Sequence, residues 1–349
     1  MPSAQKAAQI AHTLRTNSTQ VSSAWRSRFV GAYPQAQMML PPGEEMPVQL
    51  IHTSAAVLER SDISDNLKAL ALDLRRTGFP SEEYPNAVQL LIDAIRSTAP
   101  DTTDDDVSAL VAAGEEMRVA ASEADHAGVP AATAAQVTSV EQHGKVRVVR
   151  LEAGTAVAYS PGQVIPVMSP QQPGVWTGLV PALPFNQFGQ LEFHLPSDAP
   201  FGAEIAPGDW LTLGSPRGGV RDSDAERLLI VAAESGFAAA KALVFALLER
   251  PQHPEVHLVA GALESDGLYD TAALDALAST QDWLDVTWVV ESRIGTTLEE
   301  VVSGVGTWWG RDVIVCAAEE RAHRIAHTLQ AAGAGEVQTV AHDAMPEWF

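Results

Sequence analysis

Cysteine occurs once in the 349 residues, as Cys316. A single thiol excludes an internal disulfide framework and a Cys-rich zinc site. A reducing cytoplasm is the simplest setting for such a chain. Positive charge is also scarce: 22 Lys and Arg stand against 44 Asp and Glu, a formal net charge of -22. Nucleic-acid and anionic-membrane partners need a clustered cationic surface, so neither is expected. The acidic surface favours solubility. Long apolar runs are missing too. The most apolar stretch, Leu228 to Leu248, is interrupted by Glu234 and Lys241 and mixes strand with helix chemistry. It is therefore not expected to insert in a membrane. Met1 to Trp25 has no apolar core, so no signal peptide is expected there. What remains, 46% hydrophobic and 19% charged, is ordinary globular material. Its length suits two or three domains at roughly 100–200 residues each.

Three grammars follow one another. Asn66 to Arg76 and Pro85 to Arg96 place apolar residues at helical spacing. Asp104, Asp105 and Asp106 precede Val107 to Val111, an acidic first turn that suits a helix N-terminus. The Ala-rich stretch Ala120 to Ala135 is broken by Gly128-Val129-Pro130, a boundary signal. From Gly144 the pattern alternates, first in Lys145 to Leu151. Short apolar runs then fall between turns at Pro161-Gly162, Gly174, Phe188-Gly189 and Pro207-Gly208, the rhythm of a small antiparallel barrel. After Arg221, strands at Leu228 to Ala232, Val256 to Ala260, Val286 to Val290 and Val313 to Cys316 alternate with helices. Those helices span Ala238 to Glu249, Ala272 to Ala278 and Glu319 to Ala331. Alternation of this kind predicts a doubly wound parallel sheet. The expected domains are 1–137 helical, 138–222 barrel and 223–349 α/β.

This order, with its motifs, resembles the flavohaemoglobins, in which a globin is fused to a ferredoxin-reductase-like flavin and nicotinamide module. Tyr159-Ser160-Pro161-Gly162-Gln163 resembles that family's Pro-Gly-Gln barrel turn. Gln190 to His194 is similar to the strand after the flavin loop, and Pro207 to Leu213 to the Gly-Asp turn before the linker. Gly261-Ala262, Leu268-Tyr269-Asp270 and Val313 to Cys316 are similar to α/β landmarks. Leu72 to Tyr84 resembles a proximal helix and turn, and Trp25 to Pro34 a distal helix. The resemblance implies an all-helical globin-like domain, a flavin-type barrel and a nucleotide-type α/β domain.

It also implies cofactor residues that this sequence lacks. The proximal histidine precedes an Arg-Lys-x-Gly run in the family; here Leu74 precedes Arg75-Arg76-Thr77-Gly78. Leucine offers iron no lone pair. The distal tyrosine falls near Trp25 or Arg26. His52 is a conceivable substitute ligand, with a surface or hydrogen-bonded helix histidine the plainer reading. The Arg-x-Tyr-Ser flavin segment aligns with Thr177, Leu179 and Val180. An arginine–phosphate bond contributes roughly 1.5–3 kcal/mol, so losing it with the aromatic and hydroxyl contacts removes orders of magnitude in affinity. The Gly-Gly-Thr-Gly turn, whose bare amides approach pyrophosphate, reads Ala232-Ala233-Glu234-Ser235-Gly236. Ala233 adds a methyl group, and Glu234 a carboxylate where phosphate would rest. Like charges about 4 Å apart repel by roughly 1–4 kcal/mol. The Cys-Gly-Pro loop has become Cys316-Ala317-Ala318. Haem, FAD and NAD(P)H are accordingly not expected to bind, and no catalytic or metal residue is assigned.

Other features are plainer. His323 and His327 share a helix face but lack a third zinc ligand, so a solvated helix is expected. Ser215 to Gly219 lacks the Lys-Ser/Thr of a phosphate loop and reads as a domain linker. Thr13, Thr16, Ser18 and Thr19 lie in a segment free of acids where phosphate would change a surface. Trp348 and Phe349 are candidate interface anchors or fold back on the α/β domain. The main expectation is a cytoplasmic bacterial pseudoenzyme that binds other proteins, with phosphorylation as a control. Alternatives are a residual flavin-dependent oxidoreductase or nitric oxide dioxygenase with atypical ligands, and a sensor of apolar ligands in the emptied globin pocket.

Overall fold

A computed structural model describes residues 4–39, 45–60, 63–172, 176–201, 205–221, 225–304 and 308–343. The described residues up to Ala132 form one compact unit, and those from Thr133 onward form a second.

The first unit is helical: α1 (Ala4–Thr16), α2 (Ser18–Ala32), α3 (Ala36–Met39), α4 (Glu45–Glu59), α5 (Ser64–Leu74), α6 (Tyr84–Thr98) and α7 (Ser108–His126). In α6, Pro85 in the first turn suits the fixed proline φ. Leu91, Ile92 and Ile95 bury one stripe of this helix against Trp25, Phe29 and Ile51. The acidic run expected in the first turn of the next helix instead forms a short 3-10 turn, Asp105–Val107, just before α7, whose own first turn has no acid. Asp106 accepts the Thr103 amide at 2.8 Å and the Lys6 ammonium at 2.8 Å. Gly128, at φ +69°, ends α7, and the Val129 amide reaches back to the Ala124 carbonyl at 2.9 Å.

The second unit opens with six antiparallel strands: β1 (Thr133–His143), β2 (Val146–Ala153), β3 (Ile165–Met168), β4 (Trp176–Leu179), β5 (Gln190–Pro196) and β6 (Trp210–Leu213). Their order is β4-β3-β6-β1-β2-β5. A bridge from Pro181 to Phe193 joins the two edges, and the Ala182 amide donates to the Glu192 carbonyl at 2.7 Å. Closure removes the open edges of the sheet. β1 corrects the expected boundary at 137/138, which falls inside this strand. Thr133 to Ala135 read as the tail of a helical stretch because alanine favours helices. Pairing to both β2 and β6, with a bulge between Val137 and Ser139, overrides that local preference.

The chain continues through β7 (Arg227–Ala233), α8 (Phe237–Leu247), β8 (Glu255–Ala262), α9 (Thr271–Ala278), β9 (Leu284–Val290), α10 (Glu291–Ile294) and α11 (Leu298–Gly304). It ends in β10 (Asp312–Ala317), α12 (Glu319–Ala331) and β11 (Val337–Ala341). All pairings are parallel, in the order β11-β10-β7-β8-β9. The helix expected over Glu319 to Ala331 has those same ends. β11 escaped the sequence reading. It is a five-residue edge strand with Gln338 and Thr339 inside it. Among the described residues no helix is long and apolar enough to cross a membrane.

Candidate functional site

The helical unit contains a partly open apolar pocket of about 130 Å³. Its wall includes Trp25 and Phe29 of α2, Leu67, Leu70 and Leu74 of α5, and Ala113 and Met117 of α7. Trp25 and Phe29 stack with ring centroids 4.8 Å apart, and Phe79 lies 5.1 Å from Phe29. Leu74 thus stands in the wall, where the family resemblance places an imidazole. Arg26 and the half-buried His52 are not part of that wall. Several of the polar groups that line it bond to backbone carbonyls of the same unit. Ser54 donates to the Leu50 carbonyl at 2.7 Å, and Thr77 to the Leu74 carbonyl at 2.7 Å. Tyr84 donates to the Ala71 carbonyl, and the Trp25 indole N–H to the Ala87 carbonyl, each at 3.4 Å.

In the barrel, β4 carries Thr177 half-buried and Leu179 buried; Val180 follows, also buried. Leu179 packs with Ile165, Val167 and Phe193 inside the barrel. Val180 joins the cluster of Ile230 and Phe237 under the parallel sheet. Both side chains therefore serve cores. The linker read at Ser215 to Gly219 is firmly anchored: Arg217 and Val164 exchange backbone hydrogen bonds at 2.9 Å. The Arg217 side chain is 2% exposed, and burial pushes its pKa well down.

The order of the parallel sheet reverses between β7 and β10, and open α/β sheets bind ligands at that switch, beyond the strand C-termini. Four sequence-singled residues converge there. Ala233 ends β7 and is buried, and Cys316 and Ala317 end β10, also buried. Glu234 starts the turn into α8 at φ +53°, a left-handed conformation uncommon for glutamate. A methyl group on Gly236 would lie 2.1 Å from the Cys316 carbonyl oxygen, so glycine is required. The Glu234 carboxylate accepts the Leu263 amide at 2.9 Å. It also lies 3.6 Å from the Arg321 guanidinium, which pairs with Glu291 and stands 3.5 Å from Glu299. Three carboxylates surround Arg321, and a second guanidinium, Arg324, lies 3.9 Å from Glu299. Beside them the Ser235 hydroxyl meets His342 Nε2 at 2.9 Å. Burial lowers the pKa of His342, although the Asp343 charge opposes the shift. The His342 tautomer sets the direction of this hydrogen bond. Burial pushes the Cys316 thiol up to about 12.

A second polar cluster was not singled out from sequence. Glu192 and His194 of β5 point to one face, two residues apart, and meet Lys241 of α8 and Tyr269 and Asp270 before α9. Lys241 Nζ lies 2.9 Å from Glu192 Oε1 and pairs with Asp270, itself at φ +51°. Arg150 Nε holds the other Glu192 oxygen at 2.8 Å. Burial alone would raise the Glu192 carboxyl, but the His194 hydrogen bond and the Lys241 charge outweigh it and hold the group ionised. His194 Nε2 therefore donates to Glu192 at 2.9 Å. Its Nδ1 is left to accept the Tyr269 hydroxyl, also at 2.9 Å. Burial, with Lys241 nearby, keeps the His194 pKa low, and burial raises that of Tyr269. One potential ligand atom each from Glu192, His194 and Asp270 lies within 4.8 Å of the others. The Lys241 ammonium fills the place a cation would take. The sequence signal was the lysine interrupting an apolar helix, with a Glu-x-His pair on a strand.

The remaining candidates do not converge. Thr13 and Thr16 lie in α1, their hydroxyls donating to the Gln9 and His12 carbonyls at 2.9 Å. Ser18 and Thr19 open α2; Thr16 and Thr19 are exposed, Thr13 and Ser18 half-buried. His323 and His327 are exposed on α12, outside any three-ligand group among the described residues. Trp348 and Phe349 lie outside the described residues.

No protein-family model matches the chain. Among solved structures it is similar to a flavohemoglobin from Malassezia yamatoensis with bound FAD and heme. That match has 15% identity and a TM-score of 0.69, over 97% of this chain and 98% of that one. A cytochrome P450 reductase from Amycolatopsis matches at 18% identity and TM-score 0.55, over 60% of this chain and 69% of that one. The ferredoxin reductase of carbazole 1,9a-dioxygenase matches at 20% identity and TM-score 0.52, over the same shares. Helical unit, antiparallel barrel and parallel α/β sheet, in that order, give this chain the flavohaemoglobin fold along nearly its whole length.

Proposed function

We propose that this chain is a non-catalytic module of flavohaemoglobin architecture that binds other cytoplasmic proteins and takes up neither haem, FAD nor NAD(P)H. The observation that most supports this reading is Glu234. Its carboxylate already accepts the Leu263 amide at the sheet's switch point, beside Glu291 and Glu299. An incoming pyrophosphate would lose that amide and meet like charge. The residues elsewhere suit the other two groups no better. Among the described residues, the lining of the helical unit's pocket offers no imidazole or thiolate to hold a haem iron. On β4 and just after it, Thr177, Leu179 and Val180 offer no guanidinium for a flavin phosphate.

With chemistry set aside, surface remains. Trp309 is 85% exposed and Phe188 69%, and large exposed aromatics of this kind anchor protein interfaces. Phosphate on exposed Thr16 or Thr19 would place new charge at the α1–α2 junction and offers a control. The partner is a protein, since the -22 charge disfavours nucleic acid and anionic lipid.

The test is an absorbance spectrum of protein purified from cells supplied with haem and riboflavin, followed by NADH addition. A featureless visible spectrum and no NADH oxidation are expected. A Soret band, or a yellow flavin reducible by NADH, would sink the reading. It would favour a residual oxidoreductase or nitric oxide dioxygenase, whose rate should fall on altering Ser235 or Cys316. Capture from the native host, repeated with Trp309→Ala and Phe188→Ala, then identifies the partner and the face it uses.

A further inference from the structure

We infer that the cavity of the helical unit is a binding site for a small, uncharged aromatic molecule about the size of one ring. This rests on the reading that the unit takes no haem, and goes beyond it by naming what the space accepts. Volume limits the ligand first. About 130 Å³ is close to the roughly 150 Å³ apolar cavity that stays dry and takes up benzene. Chemistry limits it next. The hydroxyls of Ser54, Thr77 and Tyr84 and the indole N–H of Trp25 all donate to backbone carbonyls of the same unit. A guest that needs a hydrogen-bond donor would leave its own polar group buried without one. Among the described residues no charged side chain lines the space, so an ion would enter uncompensated there.

Shape then selects an aromatic guest over an aliphatic one. The stacked Trp25–Phe29 pair and Phe79 present ring faces and edges, which complement another ring in offset or edge-on geometry. The Met117 thioether adds a polarisable contact that adapts to a ring edge. Leu74 contributes a branched apolar wall on the α5 side. The pocket is partly open, which gives a guest a way in.

The full chain is tested with toluene as the probe, by hydrogen exchange and by saturation-transfer NMR on the wild type. Toluene should slow amide exchange in α2, α5 and α7, leave β7 to β10 unchanged, and receive saturation from the protein. Pyridine, similar in size but with a ring nitrogen that must accept a hydrogen bond, should bind about tenfold or more weakly. Ala113→Leu, which fills part of the cavity from α7, should abolish both toluene effects. Absence of both effects on the wild type overturns the inference, as does a toluene effect that survives in a folded Ala113→Leu protein. If Ala113→Leu does not fold, the wild-type toluene and pyridine results decide alone, and equal binding of the two also overturns it. The absorbance spectrum separates the two readings. A Soret band defeats the haem-free proposal, whereas a featureless spectrum with no toluene response defeats only this inference.

Discussion

Lys241→Met removes the one ammonium from the buried cluster on β5 and α8 while keeping an unbranched side chain of similar length. The wild-type pair is shielded from solvent: the Lys241 side chain is 7% exposed and that of Glu192 4%. Removing one partner of a buried ion pair costs about 3–5 kcal/mol, because the other charge is left uncompensated. Glu192 retains the His194 N–H and the Arg150 guanidinium, the latter 39% exposed, which moves the loss to the lower end. Asp270, held in a left-handed conformation, loses its cation at the same time. We expect a loss of about 3 kcal/mol for the second unit, measured by urea unfolding at neutral pH.

A pH signature accompanies that loss. Glu192 has its folded pKa depressed, so its stabilising contribution is full above the unfolded carboxyl value of about 4.3 and fades as pH falls below it. Lys241 helps to hold His194 neutral. Without it, His194 takes a proton more readily and supplies part of the missing positive charge. The Lys241→Met penalty should therefore be smaller at about pH 5.5 than at about pH 8. A loss below about 1 kcal/mol, the scale of an exposed pair, would refute the buried-network reading. So would a penalty equal at both pH values.

Three further outcomes follow from the packing and the ionisable groups. Gly236→Ala drives a methyl group into the Cys316 carbonyl and should destabilise the second unit by about 1–3 kcal/mol or more, read as a drop in its unfolding midpoint. Cys316, with its thiol pushed up to about 12, should react with a disulfide reagent only as fast as the second unit unfolds; rapid native labelling would contradict its burial. Asp106, held down to about 2 mainly by the Lys6 ammonium and then by Thr103, supports the helical unit above the ordinary Asp value. That support should fade as pH falls from about 4 towards 2. Asp106→Asn should flatten this part of an acid titration followed by hydrogen exchange in α7.

Local rules were enough to read the periodic elements. α12 needed only its alternating polar and apolar face, and β7, β8 and β10 needed only their buried runs bounded by turn residues. Leu74, Glu234 and Ala317 stood out because the chemistry a cofactor requires is a property of residue type, which sequence carries directly. β1 and β11 were not legible, since each is a strand only by virtue of its neighbours: β1 between β2 and β6, β11 beside β10. The cluster of Glu192, His194, Lys241, Tyr269 and Asp270 joins residues up to 78 positions apart, from 192 to 270, so no spacing rule could have grouped it. The same holds for Glu234. Its carboxylate was evident from the sequence, but its bond to Leu263 and its place beside Arg321 depend on strands brought side by side. Sequence determined which chemical groups this protein has and lacks. Tertiary structure decided which of them meet, because burial and proximity arise only when distant segments pack.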